Sequence, residues 1–312
     1  MKLTRLRLLL IAAIVVAGGL LATTLANNGT SAAATDPHGK PNVSPATMAR
    51  VLNATAAAST APQAELIANG RTLFRSSSVA KSGESCQSCH SEGTANAGLG
   101  TTPHPVAGNA GDFTGPRDPP NLVNVARTSP YFWTGTETTL TQTVIDTILN
   151  HFTDGKTQPA DKTGQQAAAM VAYVKQLRSP RTSFDDGTMS LAAERGLRLF
   201  QTKGGCIACH GGPDFTDNRF HATCVPQMPG ANDPGATVPG MFDCTTIGAP
   251  PGLGAFNTPQ LRDLVDSAPY MHNGRLTTLT DVVNFYNSSS SISPLRLTPA
   301  EVKDLVAFLS SL

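Results

Sequence analysis

Apolar residues recur at the three- and four-residue spacing of an amphipathic helix in several parts of the chain. Two such segments end shortly before a cysteine-rich motif, at residues 70–74 and 196–200, and two others lie at residues 165–177 and 299–312. Thr-Pro-Ala-Glu at the start of the last segment is the sequence of a capped helix. Few segments alternate apolar and polar residues as strands do, and 28 glycines and 23 prolines indicate long connections. The pattern predicts a mainly α fold with long loops and little sheet.

The N-terminal residues have the pattern of an export signal. Basic residues precede an apolar run over residues 8–25, and Thr-Leu-Ala at its end offers a small-residue cleavage site. We interpret residues 1–26 as a signal peptide or, if it is not cleaved, as a membrane anchor. The folded part is therefore expected in the periplasm. Residues 27–60 are rich in alanine, threonine and serine, and are predicted to form a flexible tether.

Two Cys-x-x-Cys-His motifs, at residues 86–90 and 206–210, carry the strongest chemical signal. Such a motif attaches a c-type haem through its two thiols and binds the iron through its histidine. A redox dithiol is an alternative, but it favours a βαβ pattern that is not visible here. A zinc site of four cysteines would leave both histidines unused. The sequence therefore predicts two covalently bound haem c groups, held by Cys86, Cys89, His90, Cys206, Cys209 and His210.

The rest of the composition adds two constraints. The remaining cysteines, Cys224 and Cys244, are predicted to form a disulfide because exported chains fold in an oxidising compartment. Two free thiols are the alternative. Lysine and arginine total 23 against 22 aspartates and glutamates, so the charge does not indicate a nucleic acid partner.

The two halves of the chain repeat each other. Ser-Pro-Tyr-Phe-Trp-Thr-Gly at residues 129–135 aligns without a gap with Ala-Pro-Tyr-Met-His-Asn-Gly at residues 268–274, at an offset of 139 residues. Each half also has a haem motif and a closing helix. We therefore predict two cytochrome c-like helical domains facing one another, at residues 61–180 and 181–312, with one haem each.

These motifs resemble the bacterial dihaem cytochrome c peroxidase family, which includes MauG. The resemblance covers about residues 65–312 and rests on the two haem motifs, on Phe-Thr-Asp after the second, on Phe-Trp-Thr-Gly and on Pro-Tyr-Met-His-Asn-Gly. It implies that the N-terminal haem reduces hydrogen peroxide while the C-terminal haem stores and passes electrons. It also implies a small c-type cytochrome or a cupredoxin as electron donor, and homodimers occur in the family.

The resemblance assigns roles to residues between the two predicted domains. Trp133 matches a tryptophan that lies between the haems, which implies an electron relay; core packing is the alternative. The family also holds a calcium ion between its domains. The matching positions are the side chain of Asp118 and the carbonyl groups of Ser267 and Pro269. Capping of a turn is the alternative role for Asp118.

The sixth ligand of the second haem separates the branches of the family. Peroxidases have methionine at the position of Tyr286, whereas the MauG branch has tyrosine. A tyrosinate stabilises oxidised iron and a thioether favours reduced iron. Met271 is the competing ligand, and a purely structural tyrosine is the third interpretation.

On the peroxide side, the sequence departs from the family. The acid–base glutamate would fall at Thr153, whose side chain cannot transfer the proton, so Asp154 and His151 are the nearest candidates. The family's glutamine is displaced by one position and corresponds to Gln142. His104 is a candidate for a removable sixth ligand of the first haem, with an exposed loop histidine as the alternative.

Three functions remain open at this level. The leading hypothesis is a periplasmic dihaem peroxidase. A MauG-like enzyme that uses peroxide or oxygen to oxidise residues of a partner protein is the second, and Tyr286 favours it. A dihaem electron carrier without catalysis is the third, and the missing glutamate favours that one.

Overall fold

The computed structural model describes residues 44–77, 85–90, 104–106, 115–152, 159–229, 233, 235–236, 254–289 and 294–312. For residues 104–106, 115–116 and 150–152 it describes the backbone alone. The predicted signal segment, the first half of the predicted tether (residues 27–43) and Cys244 lie outside the described residues. Within the described part of the chain, no helix has both the length and the apolar character needed to cross a membrane.

Helices make up most of the described regular structure. They are α1 (Pro45–Ala58), α2 (Gln63–Arg75), α3 (Cys86–Cys89), α4 (Leu140–Asp146), α5 (Ala160–Val174), α6 (Leu191–Gln201), α7 (Leu279–Ser288) and α8 (Pro299–Leu309), and α4 continues as a π-helix over Thr147–Phe152. The strands are β1 (His104–Val106), β2 (Gly115–Arg117), β3 (Phe220–His221) and β4 (Phe256–Asn257). β1 pairs with β2 and β3 with β4, both antiparallel. These elements confirm the predicted mainly α class with little sheet.

The prediction of a flexible tether over residues 27–60 is wrong for its second half, which forms α1. The Ser44 side chain accepts a hydrogen bond from the Thr47 amide, and a proline occupies the first helical position. Val51 is 1% exposed on the buried face of this helix. Alanine, which dominates the segment, is the strongest helix former, so the composition fits a packed helix as well as a tether.

Each half contains a pair of helices that touch at their backbones. Gly70 brings α2 against α5, and Gly196 brings α6 against α8. A Cβ atom at either glycine would lie 2.0 Å from a carbonyl oxygen of the facing helix, that of Ala169 or Asp304. Only the missing side chain permits these contacts. The two halves thus repeat one packing arrangement, although their division into haem domains at residue 181 stays a prediction.

The disulfide prediction is confirmed for one of its two cysteines. Cys224 is disulfide-bonded, and its predicted partner Cys244 lies in the part of the chain that is not described. The four cysteines of the two haem motifs form no disulfide, which is compatible with covalent attachment of haem.

We expect Gly196→Ala to lower the free energy of unfolding by about 1–3 kcal/mol, because the added methyl group must push α8 away. This loss should outweigh the roughly 1 kcal/mol by which alanine favours an isolated helix over glycine. Chemical denaturation of the haem-loaded protein measures it. Glu194→Ala, at an exposed position of the same helix, is the control and should change stability by less than about 0.5 kcal/mol. A Gly196→Ala protein as stable as the unaltered one would contradict the close contact.

Candidate haem sites

The first Cys-x-x-Cys-His motif opens onto an apolar cavity. α3 carries both cysteines on one turn, and the His90 amide donates to the Cys86 carbonyl at 2.8 Å, which turns the chain so that the thiols and the imidazole line the same space. The cavity has a volume of about 320 Å³, within the range of small-molecule and cofactor sites. We call it the His90 cavity.

The walls of the His90 cavity suit a large apolar cofactor. They include Phe74, Leu122, Leu140, Val144, Met170 and Val174. Burial raises the pKa of the Cys86 thiol to about 12, so this group faces the cavity as a neutral thiol. Two thiols, one imidazole and an apolar enclosure are the groups that a haem c requires, and the residues therefore fit it.

The second motif repeats this local geometry and fixes its histidine. The His210 amide donates to the Cys206 carbonyl at 2.8 Å, as in the first motif. His210 Nδ1 lies 3.0 Å from the Phe215 carbonyl oxygen. A carbonyl oxygen can only accept, so Nδ1 carries the proton and Nε2 keeps the lone pair that binds iron. Burial lowers the pKa of His210, which favours the neutral imidazole that metal binding needs.

Tyr286 and Met271 lie in different places. Burial, together with the nearby Cys206 and Cys209 thiols, raises the pKa of the Tyr286 phenol to about 12, opposed by a hydrogen bond with the Thr223 side chain. Tyr286 therefore lies beside the second haem motif. Met271, its predicted competitor, lines the His90 cavity instead.

Trp133 lies where the two halves meet. It lines the His90 cavity, and its Nε1 donates to the Asp118 carbonyl at 2.7 Å. Its ring contacts the edge of His272, with ring centroids 6.5 Å apart and planes at 74°. His272 is the residue equivalent to Trp133 in the sequence repeat, 139 positions later. The repeat thus brings its two central rings together.

The residues predicted to bind calcium line one wall of the His90 cavity. Asp118, Ser267 and Pro269 all contribute to it. Asp118 is 6% exposed, and its Oδ1 is buried without a hydrogen-bond partner. Burial raises the pKa of this carboxyl group to about 8. A buried carboxylate oxygen without a partner is what a hard cation would stabilise, so the residues fit the predicted ion.

The residues predicted on the peroxide side are only partly described. Gln142 Oε1 accepts from the Thr139 hydroxyl at 2.7 Å at the start of α4. Gln142 is not among the described residues that line the His90 cavity, so its position does not support the predicted catalytic role. His151 lies on the π-helix and His104 on β1, with only their backbones described, and Thr153 and Asp154 lie outside the described residues.

Comparison with known proteins identifies the family. The family model described as di-haem cytochrome c peroxidase matches residues 64–186. The chain is similar to this family over residues 64–186. The predicted resemblance is thereby confirmed, and the family implies haem c as cofactor and an oxidoreductase as the class of enzyme.

Individual relatives extend the likeness to the second half. Cytochrome-c peroxidase IdrP1 of Denitromonas iodatirespirans is 36% identical over 185 residues, which are 47% of this chain and 49% of the relative. The chain thus spans about half the length of that protein. Methylamine utilization protein MauG of Methylorubrum extorquens is 28% identical over 299 residues, covering 80% of this chain and 78% of MauG. The diheme peroxidase BthA from Burkholderia thailandensis has the same fold, with a TM-score of 0.59, 21% identity and coverage of 80% and 86% of the two chains.

The sequence analysis missed a hydrogen-bonded aspartate–histidine pair near the second Cys-x-x-Cys-His motif. His221 Nε2 lies 2.8 Å from Asp217 Oδ2, and ligand atoms of Cys209, Asp217 and His221 lie within 4.8 Å of one another. Although burial acts to raise it, the pKa of Asp217 is lowered overall by hydrogen bonds from His221, Arg219 and Thr258. The sequence did contain a signal for this pair, an aspartate and a histidine four positions apart shortly after the motif. The pair holds a carboxylate beside the attachment point of the second haem.

We expect Asp217→Asn to raise the midpoint potential of the second haem, because a nearby negative charge favours the oxidised, more positive iron. A change of about 60 mV corresponds to tenfold in a one-electron equilibrium. Potentiometric titration followed by absorbance measures it. Asp186→Asn, which removes an exposed carboxylate paired with Arg181, is the control. A potential that falls, or that shifts equally in both variants, would contradict the role of this carboxylate.

Proposed function

We propose that the protein is an exported dihaem c-type peroxidase that reduces hydrogen peroxide in the His90 cavity. The overall reaction takes one peroxide, two electrons and two protons to two waters. The observation that carries the proposal is that Cys86, Cys89 and His90 line the same cavity as Trp133. A haem site and the boundary between the repeated halves are thus adjacent, which suits a reaction that needs electrons from a second centre.

Each haem motif would hold one haem, and each haem, when bound, supplies a redox-active iron. The protein's residues do the remaining work. The apolar walls of the His90 cavity exclude water, and the Phe215 carbonyl keeps His210 in the tautomer that binds iron. The proton needed at the peroxide would come through His151 or Asp154, which remain the proposed acid–base groups.

Electrons would travel from the His210 haem to the His90 haem by way of Trp133. The ring contact between Trp133 and His272 supports a route between the halves, because His272 belongs to the second half. We propose a small c-type cytochrome or a cupredoxin as the donor. Ile207, between the attachment cysteines of the second motif, is 45% exposed, and offers an apolar contact for such a partner next to the haem.

A MauG-like enzyme is the second candidate, and the position of Tyr286 favours it. Its phenol lies beside Cys206 and Cys209, whereas the methionine that would suit a peroxidase lines the other cavity. Tyrosine as an iron ligand stabilises oxidised states. Such an enzyme would oxidise residues of a partner protein rather than consume electrons from a donor.

Peroxide turnover by the haem-loaded protein tests the function. We expect the absorbance of the haem bands to change on adding peroxide, and reduced cytochrome c to be consumed. Tyr286→Met separates the two candidates, because a peroxidase should keep its turnover while a MauG-like enzyme should lose its high-valent chemistry. A protein that does not respond to peroxide in any redox state would be an electron carrier, and both proposals would fail.

We also propose that Asp118, with the carbonyl groups of Ser267 and Pro269, holds one calcium ion. Calcium at 100 times its dissociation constant should raise the free energy of unfolding of chelator-treated protein by about 2.7 kcal/mol. Asp118→Ala should abolish this gain. Asp118→Asn, which keeps a carbonyl oxygen, should retain part of it, and Asp263→Ala, at another buried carboxylate, should leave it unchanged. Denaturation with and without calcium measures all four, and an Asp118→Ala protein that is stabilised as strongly as the unaltered one would contradict the site.

A further inference from the structure

The two tyrosines of the repeated loop occupy equivalent positions and both line the His90 cavity. Tyr131 and Tyr270 each follow a cis proline. The main-chain amide of each donates at 2.7 Å to the carbonyl six residues later, that of Glu137 or Leu276. The backbone therefore presents both side chains in the same way, and any difference between them lies in what their hydroxyl groups contact.

The two hydroxyl groups differ in their partners. The Tyr270 hydroxyl donates to the Leu264 carbonyl at 2.9 Å. The Tyr131 hydroxyl makes no hydrogen bond to the protein in the part of the chain that the structure describes. Of the two tyrosines, Tyr131 is thus the one whose O–H group donates to no acceptor in the described protein.

The threonine hydroxyl groups along the described cavity walls all donate to the main chain. Those of Thr143 and Thr147 donate within their helix, at 2.9 and 2.8 Å. Those of Thr128 and Thr258 donate to carbonyl groups at 3.2 and 3.1 Å. Among the threonines and tyrosines of the described walls, Tyr131 is therefore the residue whose hydroxyl hydrogen has no acceptor in the described part of the protein.

Tyr131 also stays protonated under ordinary conditions. Burial alone raises the pKa of its phenol, so the group is a donor at neutral pH. A half-buried donor without a partner is costly compared with one that is hydrogen-bonded, and buried polar groups usually meet a partner or a ligand. Tyr131 lines the His90 cavity, so a molecule that fills this cavity can supply the partner.

We propose that the Tyr131 hydroxyl donates a hydrogen bond to an oxygen acceptor of the molecule that fills the His90 cavity. The acceptor is either the small oxygen ligand at the iron or a carboxylate of the haem, since both present the same chemistry. The proposal rests on the proposed function and deepens it. Tyr131 would supply a donor at the peroxide site, where the family's glutamate is replaced by threonine. The step is a hydrogen bond, and the tyrosine loses neither its proton nor an electron.

The test compares Tyr131→Phe with Tyr270→Phe in the haem-loaded protein. Fluoride, which accepts a hydrogen bond when bound to ferric haem, is the probe, and its dissociation constant is obtained by absorbance titration in the oxidised and the half-reduced protein. We expect Tyr131→Phe to weaken fluoride binding about tenfold, the factor that one hydrogen bond of ordinary strength supplies. Tyr270→Phe should leave fluoride affinity unchanged and lower the melting temperature, because its hydroxyl serves the fold.

The midpoint potential of the first haem distinguishes the two acceptors. A shifted potential with unchanged fluoride affinity in Tyr131→Phe would assign the hydrogen bond to a haem carboxylate, and weaker fluoride binding would assign it to the ligand at the iron. If Tyr131→Phe loses its haem, Raman spectra of the unaltered fluoride complex in H2O and D2O should still show an isotope shift. The proposal is overturned if Tyr131→Phe changes neither the fluoride dissociation constant nor the midpoint potential of the first haem. The same holds if fluoride binds neither the unaltered protein nor the variant and the potential is unchanged. These measurements need no turnover, so failure of the peroxidase assay would be a separate result.

Discussion

The main chain of Asp118 holds the centre of this molecule together. Its amide donates to the His272 carbonyl at 2.8 Å, and its carbonyl accepts from Trp133 Nε1 at 2.7 Å. One residue thus connects the two equivalent positions of the sequence repeat. Both bonds are largely withdrawn from water, where an unpaired group would cost about 1–3 kcal/mol. The orientation of Trp133 and the burial of the Asp118 carboxyl group therefore depend on each other.

The repeat explains why the two halves are alike and shows the positions at which they differ. Equivalent backbone positions carry tryptophan in one half and histidine in the other. They also carry two tyrosines: the Tyr270 hydroxyl donates to a main-chain carbonyl, and the Tyr131 hydroxyl makes no hydrogen bond to the described part of the chain. The scaffold supplies the same loop twice, with the same main-chain bonds. Side chains at a few positions then distinguish the two halves.

The sequence predicted what depends on short-range patterns. The capping box of α8 appears as expected, with the Thr298 amide bound to Glu301, and both haem motifs form turns closed by the same main-chain bond. Composition misled for α1, because an alanine-rich segment suits both a tether and a packed helix. Long-range pairs could not be predicted: Arg117 and Asp233 form a buried ion pair at 2.7 Å across 116 residues, and neither has a neighbouring residue that signals the other. The distal acid stays a prediction, because Asp154 lies outside the described residues and only the backbone of His151 is described.

The contact of Gly196 with α8 has a consequence for the position of the second Cys-x-x-Cys-His motif. Helices that touch at their backbones cannot slide or tilt without a clash, so α6 has a fixed direction where it leads into the second haem motif. The attachment cysteines and the iron-binding histidine follow within fifteen residues of this contact. A single missing methyl group thus contributes to a rigid support for the two thiols and the imidazole of this motif.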